Sequence, residues 1–281
     1  MQPLIELRGV GVEYETRGQA PKKVLDGLDL TIHRGEFIAV CGQTGCGKST
    51  MLRLILGAER PTAGQVLIDG CKSGRPDRHR GYVPQKYSLF PDKTAIDNIT
   101  FGPEMEEFGV MGRLSFSFRR RRLELRERAY AYLRQMGLQE GDANKYPDQL
   151  SGGMQQRVAI AQALMMQPKI LLMDEAFSAL DPATRSGMQR LVRDLWTETG
   201  TTFLFVTHNV AEAIYLGTRV VMLGRRFAEA SSRVLLDVEV PVSMRMPSGD
   251  LRWEEAERLE KLIEGTAMEG REDLELAEFR G

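Results

Sequence analysis

A chain of 281 residues, 42% hydrophobic and 27% charged, has room for one large domain with an extension and sits in the ordinary range for a water-soluble protein. Its net charge of −1 gives no basis for wholesale binding to nucleic acid, and no apolar run reaches the roughly 18 residues of a membrane span. Cys41, Cys46 and Cys71 fit neither a disulfide framework nor a metal-ligand spacing, and three scattered histidines argue against a zinc cluster. With no charged segment followed by an apolar stretch at Met1–Glu6, the expectation is a cytoplasmic protein with reduced thiols and no signal peptide.

Leu4 to Val12 alternates loosely in polarity and predicts a first strand, with Tyr14 just beyond it and a polar loop from Glu15 to Lys23. Val24-Leu25 and Leu28 to Ile32 predict further strands, with turns at Gly27 and at His33 to Glu36. The apolar run Phe37 to Cys41 then leads into Gly42-Gln43-Thr44-Gly45-Cys46-Gly47-Lys48-Ser49-Thr50, followed by the helical spacing of Met51 to Leu56. Gly42, Gly47, Lys48 and Ser49 satisfy the pattern of a phosphate-binding loop between strand and helix. The glycines let backbone N–H groups curl around phosphate oxygens, the helix adds a positive dipole end, and the lysine and serine supply charge and a metal ligand.

Further along, a turn at Pro61–Gly64 precedes a strand from Gln65, and Cys71 to Arg80 is expected to be a loop. Gly81 to Gln85 is a short strand, and Thr94 to about Met136 has interrupted helical spacing, including the arginine run Arg119 to Arg122. Ser151 is placed as the cap of a helix that runs to Met166. Ile170 to Met173 and Phe203 to Thr207 are continuous apolar runs suited to buried parallel strands; Asp174-Glu175 ends the first and His208 the second. A helix begins near Pro182, and Val220 to Leu223 closes the series. Strands alternating with helices predict an α/β fold on a mostly parallel sheet. From Leu251 on, ten acids face five bases, and Trp253, Ala256, Leu259 or Leu262, and Ile263 can share one apolar helix face.

In this order the motifs resemble those of the ATP-binding subunits of ABC transporters, over about residues 4 to 224. Tyr14 matches the aromatic residue that stacks on adenine, Gly42 to Thr50 the phosphate loop, and Gln85 the Q-loop. Leu150-Ser151-Gly152-Gly153-Met154-Gln155-Gln156-Arg157 matches the signature sequence, the most specific of these. Ile170 to Glu175 matches the second nucleotide motif, Ser178-Ala179-Leu180-Asp181 the D-loop, and His208 the switch histidine. Met154 stands where glutamine is commonest and Ala176 where many relatives have proline; neither removes a chemical group.

The resemblance implies a P-loop NTPase with an N-terminal antiparallel β subdomain, a helical signature subdomain at about 90–160, and a short helical extension at 229–281 after an ATP-binding domain at 1–228. It implies ATP and Mg²⁺ as ligands, with Ser49, Gln85 and Asp174 at the metal. Glu175, His208, Lys48 and Gln85 are the implied catalytic groups, Ser151, Gly152 and Gly153 face a nucleotide held by a second, head-to-tail copy, and Asp181 of the D-loop is a further nucleotide-binding residue. The implied partners are membrane permease subunits, and Glu212 to Val220 resembles the subgroup serving nitrate, sulfonate and taurine. That subgroup implies import with a periplasmic binding protein, at the cytoplasmic face of a bacterial inner membrane. An exporter ATPase and a soluble ABC ATPase uncoupled from transport are the alternatives. The arginine run has two readings, a solvated helix start or a patch touching permease or anionic headgroups. The acidic tail likewise is a regulatory or dimer-stabilising helix, or a largely disordered end beyond Ile263.

Overall fold

Strands β1 (Pro3–Tyr14) and β2 (Lys22–His33) lead to β3 (Phe37–Cys41) and helix α1 (Lys48–Leu56), then to β4 (Ala63–Ile68), β5 (Cys71–Lys72) and β6 (Arg80–Val83). Helices α2 (Ala95–Phe108), α3 (Phe116–Gln135) and α4 (Gly152–Met165) precede β7 (Ile170–Asp174) and α5 (Pro182–Thr199). The chain closes with β8 (Thr202–Val206), α6 (Val210–Leu216), β9 (Arg219–Gly224), β10 (Arg233–Glu239) and α7 (Trp253–Glu269). This computed structural model describes residues 2–15, 18, 20–86, 89–109, 116–225, 231–241 and 253–269, without the side chains of 116–118, 253, 255 and 266–269. The Phe116 and Trp253 side chains and the tail beyond Glu269 therefore lie outside the described residues.

The chain divides into two units, one of Met1–Asp77 with Thr199–Gly281 and one of Arg78–Glu198. In the first unit an antiparallel sheet runs in the order β2-β1-β4-β5. β2 passes unbroken through Gly27, where a turn was expected: Leu25 and Leu28 on either side are both buried, and Gly27 takes a left-handed φ of 58° instead of ending the strand. β5 also falls within the predicted loop after Cys71. The parallel strands of this unit have β3 in the middle, with Ile38 opposite Leu204 of β8 and Arg219 of β9. With strands on both edges and both faces covered, all five residues of β3 are buried, which is why its sequence is continuously apolar.

β10, unseen in the sequence, adds antiparallel to β9. On α7, Ala256, Leu259 and Ile263 follow helical spacing and are buried with Leu236, Val238 and Val240 and with Ala213 and Ile214 of α6. Each large apolar side chain so buried contributes about 1.5–3 kcal/mol.

In the second unit β6 pairs parallel with β7. Thr94 caps α2 through the Asp97 N–H, and fully buried Asn98 closes the preceding turn by donating to the carbonyls of Phe90, Lys93 and Thr94. The arginine run is half consumed by the fold. Arg121 donates twice to Glu107, at 2.8 and 2.9 Å, and Arg122 binds Asp97 at 3.0 Å and Glu104 at 3.2 Å. Glu104 is only 5% exposed, so Arg122 neutralises a desolvated carboxylate. Arg119 and Arg120 stay exposed.

Two outcomes follow from these environments. Arg122→Met removes the bonds of Arg122 to buried Glu104 and to Asp97 and should cost about 1–2 kcal/mol in urea unfolding, against less than about 0.5 for Arg120→Met. Burial pushes the Cys41 thiol up to about 12, whereas Cys71 is exposed. Labelling with iodoacetamide near pH 8, followed by mass spectrometry, should modify Cys71 first and leave Cys41 untouched until the protein unfolds.

Candidate functional site

The phosphate loop leaves the carboxyl end of β3, the strand edge where open α/β sheets place ligands. Gly42 has φ 153°, and a Cβ there would collide with the Leu223 carbonyl at the end of β9 and lie 2.7 Å from Cys46 Sγ. Only glycine permits this approach. Lys48, 5% exposed, turns its Nζ back onto the loop and donates to the Gly42 carbonyl at 2.6 Å and the Gln43 carbonyl at 3.1 Å. The ammonium is thus held inside the ring of backbone that Gly42 to Gly47 forms, in front of the N-terminus of α1. A glycine-rich backbone loop, an ammonium folded back onto it and a helix N-terminus fit a polyphosphate. Gln43, Thr44 and Gly45 are exposed at the loop tip; Cys46 is buried, and burial raises its thiol pKa. Ser49 and Thr50 follow in the first turn of α1.

Tyr14 belongs to β1 itself and is 37% exposed. His208 follows β8, and because β8 is parallel to β3 it emerges at the same strand edge as the phosphate loop. Its neighbours fix the turn. Thr207 donates to the buried Glu212 carboxylate at 2.5 Å, and Asn209 caps α6 by accepting from the Glu212 N–H at 2.8 Å. These supporting residues escaped the sequence reading, although Asn three positions before Glu is a capping signal.

In the second unit β6 and β7 run parallel, so Gln85 and the Asp174-Glu175 pair leave at one edge. Asp174 is buried and accepts from the Tyr82 hydroxyl at 3.3 Å. Glu175 has a left-handed backbone, φ 44°, which is uncommon for a residue with a long side chain. Its carboxylate accepts from Gln85 Nε2 at 3.1 Å, and the same amide lies 3.5 Å from Ser178 Oγ. The D-loop is held from behind: Arg185 donates to the carbonyls of Leu180 at 3.0 Å and Ser178 at 3.5 Å. Asp181 caps α5, and hydrogen bonds from the hydroxyl and N–H of Thr184 hold its carboxyl below the usual range.

Ser151 accepts from the Met154 N–H at 3.3 Å and caps α4, as its sequence position predicts, so Gly152 and Gly153 lie in the first turn. A Cβ on Gly153 would come 2.6 Å from Thr184 Cγ2, so the signature helix and the residue that holds Asp181 are packed closely. Lys48, Ser49, Tyr14 and His208 thus lie in one unit, and Gln85, Asp174, Glu175, Ser151 and Asp181 in the other. Within the second unit Gln85 and Asp174 offer an amide oxygen and a carboxylate, and within the first Ser49 offers a hydroxyl; each is a hard oxygen donor of the kind Mg²⁺ takes. Among the described residues no cluster of three or more His, Cys, Asp or Glu could hold a metal ion.

A family model described as ABC transporter matches residues 25–178. An uncharacterised ABC transporter ATP-binding protein of Methanocaldococcus jannaschii is 43% identical over 219 residues, covering 78% of this chain and 77% of that protein. A nitrate import ATP-binding protein of Synechococcus elongatus is 40% identical over 83% of this chain and 79% of its own length. An aliphatic sulfonates import ATP-binding protein of Paraburkholderia xenovorans is 41% identical over 85% of this chain. The match spans 61% of that sulfonate relative and 56% of a spermidine/putrescine import ATP-binding protein of Mannheimia succiniciproducens, which is 39% identical over 79% of this chain. A solved dimeric ATP-binding cassette bound to ADP and Pi superimposes with a TM-score of 0.69 at 34% identity, covering 84% of this chain and 99% of the other. No helix among the described residues is long and apolar enough to cross a membrane. A phosphate cradle on β3, an acidic pair on β7 and a serine-capped signature helix, matched at this identity along most of the chain, place it in the ABC transporter family, as an ATP-binding and ATP-hydrolysing subunit.

Proposed function

We propose that this chain powers import of a small ion of the nitrate, sulfonate or taurine type through separate permease subunits, at the cytoplasmic face of a bacterial inner membrane. The likeness to the nitrate and sulfonate import proteins supports the cargo class, as does the stretch Glu212 to Val220. In this reading a periplasmic binding protein delivers the ion, and two copies of the chain close head to tail over two ATP molecules. Tyr14 stacks on adenine, and Gly42, Gln43, Thr44, Gly45, Cys46, Gly47 and Thr50 form the backbone cradle around the phosphates. Lys48 neutralises the β- and γ-phosphates, while Ser49, Gln85 and Asp174 hold Mg²⁺. Bound there, the metal would supply positive charge that neutralises the phosphates.

The hydrogen bond from Gln85 to Glu175 is the observation that carries the mechanism. It orients the carboxylate at the strand edge and ties it to the segment leading out of β6. Glu175 takes the proton of the attacking water, and His208 hydrogen-bonds the γ-phosphate. Ser151, Gly152 and Gly153 at the start of α4 face the nucleotide held by the second copy, and Asp181 is a further nucleotide-binding residue.

A general base contributes on the order of 10²–10⁴ in rate, so Glu175→Gln should slow ATP hydrolysis at least about 100-fold and accumulate an ATP-bound dimer on gel filtration. Hydrolysis within tenfold of the unaltered chain would remove Glu175 from this role. Gentle extraction of the tagged chain from native membranes should bring a multispanning permease and a periplasmic binding protein. Recovery with soluble partners only would overturn transport while leaving the ATPase site intact.

A further inference from the structure

We infer that Arg53 and Glu59 are positioning residues that lock the Tyr14 ring to the helix behind the phosphate loop, and so set the affinity for the base of a bound purine nucleotide. The inference rests on the proposed stacking role of Tyr14. Tyr14 is the last residue of β1, paired with Lys22 at the mouth of the hairpin, and its ring is partly exposed. Strand pairing fixes its backbone but leaves the ring direction to its hydroxyl.

That hydroxyl donates to Glu59 Oε1 at 2.5 Å, in the range of a charge-assisted bond. Glu59 Oε2 accepts from Arg53 Nε at 3.0 Å. The other arm of the guanidinium, NH2, reaches the Tyr14 oxygen at 3.3 Å and Thr50 Oγ1 at 3.1 Å. Tyr14, Glu59 and Arg53 thus form a closed ring of hydrogen bonds. Its anchor is Thr50, the last residue of the phosphate-loop motif, which is buried.

The carboxylate is itself held in place. α1 ends at Gly57 in a left-handed cap, and the Arg53 carbonyl accepts from the N–H groups of Ala58 and Glu59. Arg53 therefore fixes Glu59 through its backbone and the tyrosine through its side chain. Both partners are partly solvated, at 42% and 21% side-chain exposure, so such a pair adds little to folding stability. Its consequence is geometric: the Tyr14 ring on β1 is tied to the helix that carries Lys48, Ser49 and Thr50, so the group that meets the base and those that meet the phosphates keep a fixed spacing. Holding that spacing before the nucleotide arrives removes an ordering cost from binding.

The test is calorimetric titration of the full chain with MgADP and, separately, with magnesium tripolyphosphate, which has phosphates and no base. Tyr14→Phe, Glu59→Gln and Arg53→Met should each weaken MgADP by about fivefold and leave tripolyphosphate unchanged, with melting curves confirming the fold. The double variant Tyr14→Phe with Glu59→Gln should be no weaker than either single one, because both break the same ring. Tyr14→Ala, which removes the ring entirely, separates the possible failures. If Tyr14→Ala weakens MgADP and Tyr14→Phe does not, the tether is wrong and stacking stands. If neither changes MgADP binding, the stacking reading fails and takes the tether with it. Equal loss of tripolyphosphate affinity would show Arg53 acting on the phosphate loop through Thr50, and would overturn the assignment to the base.

Discussion

One backbone-to-backbone approach governs the nucleotide half of this structure. The chain leaves β3 against the Leu223 carbonyl of β9, so closely that no side chain fits at Gly42. β3 and β9 are parallel and in register from Ile38 to Cys41, with Cys41 opposite Met222, so the first residue beyond β3, Gly42, meets Leu223 of the longer β9. The loop must therefore turn at once, and the turn directs its backbone into a ring that Lys48 closes from within. The helix that follows carries the dipole, the phosphate-loop hydroxyls and, one turn on, Arg53. Moving β9 by the width of a methyl group would change each of these.

Much of this was legible because the signals are local. A strand buried on both faces needs a continuous apolar run, and β3, β7 and β8 each have one. The Ser151 cap reaches only three residues. The motif residues were named from their order, which is also local information. What stayed hidden is non-local. β10 has partial burial at Arg233, Val234 and Leu235 instead of strict alternation, and its identity as a strand comes from pairing with β9. Gly27 looks like a turn until the buried leucines on both sides are seen to hold the strand together. In the site, Tyr82 meets Asp174 across 92 positions and Gln85 meets Glu175 across 90, separations at which spacing carries no information.

The arginine run shows how composition misleads when burial is unknown. Four consecutive arginines look like one basic surface. On a helix, however, neighbours point about 100° apart, so the run is distributed around α3. Arg121 and Arg122 meet acids of α2, while Arg119 and Arg120 remain in solvent. Residues that share a name in the sequence therefore divide into a structural pair and a solvated pair. The tail divides similarly: Leu259 and Ile263 are fully buried, Glu254, Glu257 and Glu264 are exposed, and burial with neighbouring Glu264 and Glu257 pushes the Glu260 carboxyl up.

Of the two left-handed non-glycine residues described in the second unit, Gln167 and Glu175, the second lies where the proposed chemistry does. A left-handed backbone at a glutamate costs on the order of 1–3 kcal/mol and persists only when its surroundings over-determine it. Three contacts do so here. The Tyr82 hydroxyl fixes the preceding Asp174, the Ser178 N–H binds the Glu175 carbonyl, and Gln85 binds the carboxylate. Arg185 holds the next turn by its carbonyls, so the D-loop cannot relax to relieve the glutamate. Because the Gln85 amide lies within reach of both Glu175 and Ser178, displacing that one side chain alters the carboxylate and the D-loop together. In the proposed mechanism a signal arriving at Gln85 needs no longer path: a shift of about 1 Å is enough to break a hydrogen bond of this length and release the base from its resting orientation.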